Sequence, residues 1–342
     1  MRAIGLYQSL PLTDPEALLD LEVPAPELRP HDLLVRVKAV SVNPVDTKVR
    51  RFRLPQKSET PKILGYDGAG IVEGVGEAVS LFKVGDKVYF AGDITRDGSN
   101  AELIAIDERI CALKPKTIDF AKAAALPLTT LTAWEGMHDR MGIPTDPEKN
   151  AGRHILIIGG AGGVGSIAIQ LAKRAGLIVI ATASRPESSE WCKDLGADHV
   201  ADHRNLVESV RGLGIDMVEY ILCASSTDDY FAACADLIAP QGKVCFIVAN
   251  TQPVNASIFQ AKSVAICWEY MFTRPQFTTL DIARQHDILK ETAHLVDLGL
   301  IRTTVTKELT PINASTLREA HGLIEAGRTI GKVVISGEFA DG

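Results

Sequence analysis

Five glycines fall within seven residues in Gly159-Gly160-Ala161-Gly162-Gly163-Val164-Gly165. Inside that stretch, Gly160-x-Gly162-x-x-Gly165 has a spacing with a physical use. The glycines allow a tight turn, let the backbone approach a charged group, and let a following helix pack on a preceding strand. A helix starting there presents free N–H groups and the positive end of its dipole, which is a seat for phosphate. A glycine-rich turn can also be only a turn, so its flanks decide. Ile155-Leu156-Ile157-Ile158 precedes it, a short apolar run suited to a buried parallel strand. Val164, Ile167, Ala168, Leu171, Ala172 and Ala175 follow at helical spacing. Strand, turn and helix together make the backbone of Gly160, Gly162, Gly163 and Val164 the candidate contact for a dinucleotide pyrophosphate.

The choice of dinucleotide turns on the end of the next strand. Folds that bind NAD place an acidic residue there for the ribose 2′-hydroxyl. This chain reads Thr182-Ala183-Ser184-Arg185-Pro186, with no acid before Glu187. Ser184 can donate to a phosphate and Arg185 can pair with it as a charged fork. NADP(H) is the expected cofactor. The competing reading, a solvated arginine on a loop, leaves the missing acid unexplained.

The elements that must hold these groups follow from pattern. Residues 33–42 alternate, with Val35, Val37 and Ala39 on one face and Arg36 and Lys38 on the other. Glycines recur through residues 63–79, as at bulges and close backbone approaches in strands. The first 125 residues therefore read as a compact, barrel-like β domain. From residue 126 to 267 strand and helix alternate. Strands are expected at 155–158, 177–182, 217–222 and 243–248, and helices at 164–175, 187–195 and 230–238. That alternation is a doubly wound parallel sheet. From 268 to 342 the rhythm changes to one long helix, 281–298, and a final strand, 332–335. Residues 121–134 read as helical apart from Pro127, and residues 144–153 as a polar linker.

The chain has 342 residues, 46% hydrophobic and 23% charged, enough for two ordinary domains of a globular protein. Its formal net charge of −7 argues against a general nucleic-acid binder, whose affinity rests on a basic surface. Its six cysteines are scattered without a C-x-x-C, which excludes zinc-finger and thioredoxin readings. No apolar stretch approaches a membrane span, and residues 1–7 carry no signal-peptide core; the expected location is the cytoplasm.

The whole chain resembles the medium-chain dehydrogenase/reductase superfamily. The resemblance is carried by Ser41-Val42-Asn43-Pro44-Val45-Asp46, Leu64-Gly65-Tyr66-Asp67-Gly68-Ala69-Gly70, Val84-Gly85-Asp86-Lys87-Val88 and Gly98-Ser99-Asn100-Ala101-Glu102. It continues in Ala124-Ala125-Leu126-Pro127-Leu128-Thr129, Leu131-Thr132-Ala133-Trp134-Glu135, the glycine turn, Leu195-Gly196-Ala197-Asp198 and Gly331-Lys332-Val333-Val334. It implies an α/β protein: a GroES-like β-rich catalytic domain formed by 1–125 and 268–342, and a Rossmann domain at 126–267. It implies an active site in the cleft, and homodimers are common in the family. The branch most resembled is the zinc-independent quinone oxidoreductases, often labelled zinc-type alcohol dehydrogenase-like.

The departures from the family pattern set the chemistry. Zinc-using members carry Cys where this chain has Asn43, His where it has Tyr66, and Cys about where it has Leu128. None of the three is a normal zinc ligand. Residues 91–110 hold no cysteine, so the four-Cys structural zinc loop is missing too, and no H-E-x-x-H exists. No metal is expected. A simple ketone needs a Lewis acid to accept hydride, whereas a quinone or enone spreads the incoming charge onto a conjugated oxygen. The expected activity is NADPH-dependent hydride transfer to such compounds. Tyr66 is the candidate donor to that oxygen and Asn43 the candidate for orienting substrate or ribose; a core aromatic and a turn signal are the competing readings. Asp46 reads as structural, pairing near Lys48 or Arg50. The resemblance places Thr129 and Thr132 by the nicotinamide and its ribose, and His203 near the adenosine phosphate. Phe246, Ile247 and Val248 end a strand at the carboxyl edge, where they would approach the cofactor. Lys332 either reaches the cofactor phosphates or lies on the surface. An alkenal or enoyl reductase, and a non-catalytic NADPH-binding redox sensor on the same fold, are the alternatives.

Overall fold

The computed structural model describes residues 1–340. Residues Met1–Leu128, with the chain from Phe272 onward, form one compact unit; Thr129–Met271 form the other. The boundaries expected from the sequence were 125/126 and 267/268.

Residues 129–271 hold a six-stranded parallel sheet. Its spatial order is His199–Ala201, Ile178–Thr182, His154–Ile158, Val218–Cys223, Ile238–Phe246, Ala265–Trp268. The first strand in sequence thus lies third in space, and the order reverses beside it, as in the doubly wound fold. Ile155 to Ile158 are all fully buried, which explains why that strand is continuously apolar rather than alternating. Leu156, Ile180, Ile221, Val244 and Phe246 pack with Phe231 and Phe259 into one core.

The other unit is built on a seven-stranded sheet whose longest strand is Asp32–Val42. That strand pairs antiparallel with Gly68–Val75, with register shifts at Leu34/Val35 and Val37/Ala39. A Cβ on Gly70 would stand 2.2 Å from the Arg36 carbonyl oxygen, so only glycine allows the strands to approach there. The strand Lys332–Ser336 returns from the far end of the chain to pair with Val42 through Ala39.

Several elements differ from the sequence pattern. The helix expected at 281–298 is Arg284–Asp297, because Asp281 is held by Arg274 at 2.9 Å ahead of it. Pro127 divides the apolar stretch into Phe120–Ala124 and Pro127–Trp134; its missing N–H is harmless at a helix start. The chain then continues as a π-helical turn, Glu135–Arg140. The strand expected at 243–248 runs Ile238–Phe246, so Ile247 and Val248 lie past its end. The polar linker contains the short helix Pro147–Asn150. The helix Ala314–Glu325 and the strands His199–Ala201, Ala265–Trp268 and Val305–Leu309 were not anticipated.

The π-helical turn packs a charged cluster against the last strand of the parallel sheet. Arg140 Nε donates to Glu269 Oε2 at 2.8 Å and its guanidinium lies 3.7 Å from Glu135 Oε2. Both carboxyl groups are buried, so one guanidinium faces two acids. Burial first, and then the neighbouring Glu135, push Glu269 up to about 9. The folded chain thus holds a proton that the unfolded chain releases above the ordinary glutamate range. From about pH 4.5 to about pH 9 this group lowers stability as pH rises. Glu269→Gln removes that slope. Its melting temperature should gain on the wild type as pH is raised through this window, and a gap independent of pH would refute the shared proton.

Candidate active site

In the nucleotide-binding unit, the glycine turn joins the strand His154–Ile158 to the helix Gly163–Arg174. Gly159 takes φ 87°, a left-handed conformation natural to glycine. A Cβ on Gly165 would fall 2.2 Å from Gly159 O, and one on Gly160 2.7 Å from Ala181 Cβ. Those two glycines are required by packing. A Cβ on Gly162 would meet nothing nearer than Gly159 O at 3.4 Å, so that face of the backbone is open. Gly162 is also the helix N-cap and has no side chain to accept from the first-turn amides. The N–H groups of Gly163, Val164 and Gly165 are therefore directed outward for an external acceptor. These residues fit a dinucleotide pyrophosphate.

The turn is registered on the next strand. Gly159 N donates to Thr182 Oγ1 at 2.9 Å and Gly160 N to Thr182 O at 3.2 Å. Ser184 and Arg185 follow directly, both half-buried, with Arg185 at the N-cap of the helix Pro186–Asp194. The Ser188 hydroxyl donates to Arg185 O at 2.9 Å and fixes that backbone. His203 is half-buried in the short turn His203–Asn205, beside the surface ion pair of Asp202 and Arg204 at 2.5 Å. Thr129 and Thr132 are buried in the helix Pro127–Trp134. Ile247 and Val248 are half-buried at the carboxyl edge, where Ile247 N donates to Cys223 O at 3.3 Å.

Phe246 departs from its expected role. Its ring is fully buried, stacked on Phe231 at 5.4 Å and tilted against Trp268 at 5.7 Å. Its carbonyl already accepts from Glu269 N at 2.9 Å. Phe246 is a core residue, and the carboxyl edge offers Ile247 and Val248 instead.

In the other unit, the residues at the family's zinc-ligand positions surround a buried ion pair. Lys332 is 3% exposed and Asp67 0%. Lys332 Nζ donates to Asp67 Oδ2 at 3.0 Å, to Val42 O at 3.2 Å, and to Asn43 Oδ1. An ammonium has three donors, and all three are spent. The expectation that Lys332 reaches cofactor phosphates, or lies on the surface, is therefore corrected. Asn43 Nδ2 donates to Asp67 Oδ2 at 2.7 Å, so both ends of that amide are engaged as well. Asn43 positions the ion pair; it is not free to orient a substrate. Leu128 N donates to the other oxygen of Asp67 at 2.8 Å. Burial pushes the Asp67 carboxyl up, and Lys332 opposes it.

Asp46 does not pair with Lys48 or Arg50. It accepts from Asn43 N at 2.7 Å and caps the helix Pro44–Phe52, while Arg50 turns to Leu10 O, at 2.6 Å, and to Glu325. Burial pushes Asp46 up to about 7. Tyr66 is fully buried, its ring edge-on to Phe272 with centroids 5.1 Å apart. Asp67 is the functional-position residue that motif reading passed over. The available signal was a charge inside each of two otherwise apolar strand regions, Gly65-Tyr66-Asp67-Gly68 and Lys332-Val333-Val334-Ile335: buried charges need partners.

A β-rich unit carrying this ion pair, and a doubly wound unit carrying a glycine-rich turn with open first-turn amides, are the architecture of an oxidoreductase of the dehydrogenase class. Comparison with known proteins agrees. The alcohol dehydrogenase GroES-like domain matches residues 29–116 and the zinc-binding dehydrogenase domain residues 195–335. A zinc-type alcohol dehydrogenase-like protein of Staphylococcus epidermidis is 39% identical over 337 residues, 98% of this chain and 99% of its own length. An Arabidopsis thaliana protein named NADPH-dependent alkenal/one oxidoreductase, chloroplastic, is 32% identical over 327 residues, 93% of this chain and 75% of that protein. A solved structure from Rhizobium etli CFN 42, bearing the name of a zinc-dependent alcohol dehydrogenase protein, superposes with a TM-score of 0.94 at 50% identity, over 99% of each chain. The chain belongs to the medium-chain dehydrogenase/reductase superfamily.

The ion pair makes a direct prediction. Lys332→Met leaves Asp67 buried without its cation and should destabilise the protein by about 3–5 kcal/mol in denaturant titration. Adding Asp67→Asn should recover part of that loss. A single variant as stable as wild type would show that the pair contributes nothing.

Proposed function

We propose that this protein transfers hydride from NADPH to quinones or other conjugated carbonyl compounds without zinc. The observation that carries the reading is the closed Asn43–Lys332–Asp67 network, in which Asn43 stands at one of the zinc-ligand positions that the resemblance gives. An amide and an ammonium that are already engaged offer no ligand set for zinc. Without a Lewis acid, acceptors that delocalise the incoming charge are the suitable class.

When bound, the nicotinamide supplies the hydride. The chain's own part is to hold the cofactor and to stabilise the oxygen that gains charge. Gly162, Gly163 and Val164 hold the pyrophosphate, Ser184 and Arg185 the 2′-phosphate, and Thr129, Thr132, Ile247 and Val248 the nicotinamide end; His203 stands toward the adenosine. Tyr66 donates to the substrate oxygen, since Asn43 is committed elsewhere. The alkenal-reductase name of the Arabidopsis relative favours enones within the class. A cytoplasmic homodimer acting on a small molecule is the working form of the proposal.

Arg185→Ala should weaken NADPH binding about 10- to 100-fold, the worth of a charged hydrogen bond to phosphate, and leave NADH binding nearly unchanged. Equal losses for both cofactors would overturn the NADP(H) assignment. Tyr66→Phe keeps the ring and removes the donor. With an enone and a quinone as substrates, kcat should fall on the order of 100-fold at constant NADPH affinity. Wild-type turnover by that variant, or preferential reduction of simple ketones by the wild type, would remove the proposed mechanism.

A further inference from the structure

Six cysteines are free, and four of them make two close pairs. One pair is sealed in the core: Cys223 and Cys234 are both fully buried. The other stands differently. Cys245 and Cys267 are directly opposed in register on the parallel strands Ile238–Phe246 and Ala265–Trp268. In-register neighbours project to the same face of a sheet. The strands are about 4.8 Å apart. That spacing lies inside the span of roughly 4.4–6.8 Å that a disulfide bridges between Cα atoms. Ala265–Trp268 is the edge strand, and Cys267 on it is half-buried, whereas Cys245 is fully enclosed.

The surroundings divide the two thiols by role. The Cys267 thiol donates to Val244 O at 3.4 Å. The neighbouring Cys245 holds it below its ordinary range, with Arg140 and Lys243 adding positive charge and burial opposing. The neighbouring Cys267, burial and the nearby Glu269 push Cys245 up, so it keeps its proton. Thiolate character and exposure meet at Cys267, the features of an attacking thiol. A protonated partner in contact with it has the place of a resolving thiol.

We infer that Cys245 and Cys267 form a peroxide-oxidisable dithiol that closes to an intrachain disulfide. The Cys267 thiolate attacks one oxygen of hydrogen peroxide. The O–O bond breaks, and the departing hydroxide takes a proton from solvent, giving water and a sulfenic acid on Cys267. The Cys245 sulfur then attacks the Cys267 sulfur. The S–S bond forms, the S–O bond breaks, and a second water leaves with the Cys245 proton. Two thiols are oxidised, one peroxide is reduced, and two waters result. The bridge ties the edge strand, and Glu269 two residues beyond Cys267, to the strand that ends at Phe246.

The test is peptide mapping of the full-length protein, reduced and then treated with a few equivalents of hydrogen peroxide before alkylation. The expected result is loss of two alkylatable thiols and about 2 Da per chain. A peptide linking Cys245 to Cys267 should appear, and dithiothreitol should reverse it. In Cys245→Ser the reaction should stop at a dimedone-reactive sulfenic acid on Cys267; in Cys267→Ser neither product should form. A Cys223–Cys234 bridge, a bridge between chains, or a Cys267 that survives peroxide unmodified would overturn the inference. If either variant fails to fold, the wild-type peptide map decides alone.

Discussion

The structure of the β-rich unit depends on a single buried ion pair. Lys332 arrives on the last strand of the chain and Asp67 just ahead of the early strand Gly68–Val75, and they meet at 3.0 Å away from solvent. Neither charge is tolerable there alone, because taking an ion out of water costs several kcal/mol unless a partner and further hydrogen bonds replace the lost hydration. The further bonds are supplied by Asn43, Val42 O and Leu128 N. The pair therefore demands that four distant stretches of chain arrive together. It also explains why the C-terminal strand belongs to the N-terminal unit rather than forming one of its own.

The same demand decides what chemistry that place can perform. The lone pairs of Asn43 and Asp67 are taken up by Lys332 and by one another. The outcome is a preformed polar interior that holds its own cation as a side chain. The Tyr66 hydroxyl, lying beside it in sequence, is the group we propose for a developing oxyanion, a task for which a neutral donor suffices when the substrate spreads the charge.

The nucleotide-binding unit solves a different problem with backbone alone. Its central strand is buried on both faces, so Ile155 to Ile158 read as an uninterrupted apolar run. At their carboxyl ends the chain must turn abruptly, and Gly160 and Gly165 are the residues whose neighbours leave no room for a Cβ. A glycine N-cap then leaves the first amides of the helix available. Beyond the last strand, the Glu135–Arg140–Glu269 cluster shows the cost of excess charge in that interior: with two acids to one guanidinium, a proton is retained.

Much of this was legible in the sequence. The fingerprint, the absence of an acid near Ser184 and Arg185, and the alternation of strands and helices are local signals, because helix and strand periods and the steric demands of glycine act over a few residues. The glycine turn and its flanking strand and helix could be read for that reason. The buried polar network of the β-rich unit could not. Asn43 looked like a substrate residue, Lys332 like a phosphate or surface residue, and Phe246 like a cofactor contact. Each is instead decided by a partner 22 or more positions away: Asp67 for Asn43 and Lys332, and Trp268 for the ring of Phe246. Composition and spacing determined which groups were available and which short-range structures they form. Only the tertiary structure decided which of those groups are consumed by one another, because desolvation makes every buried charge and amide find a partner, and that partner is set by chain topology rather than by sequence neighbourhood.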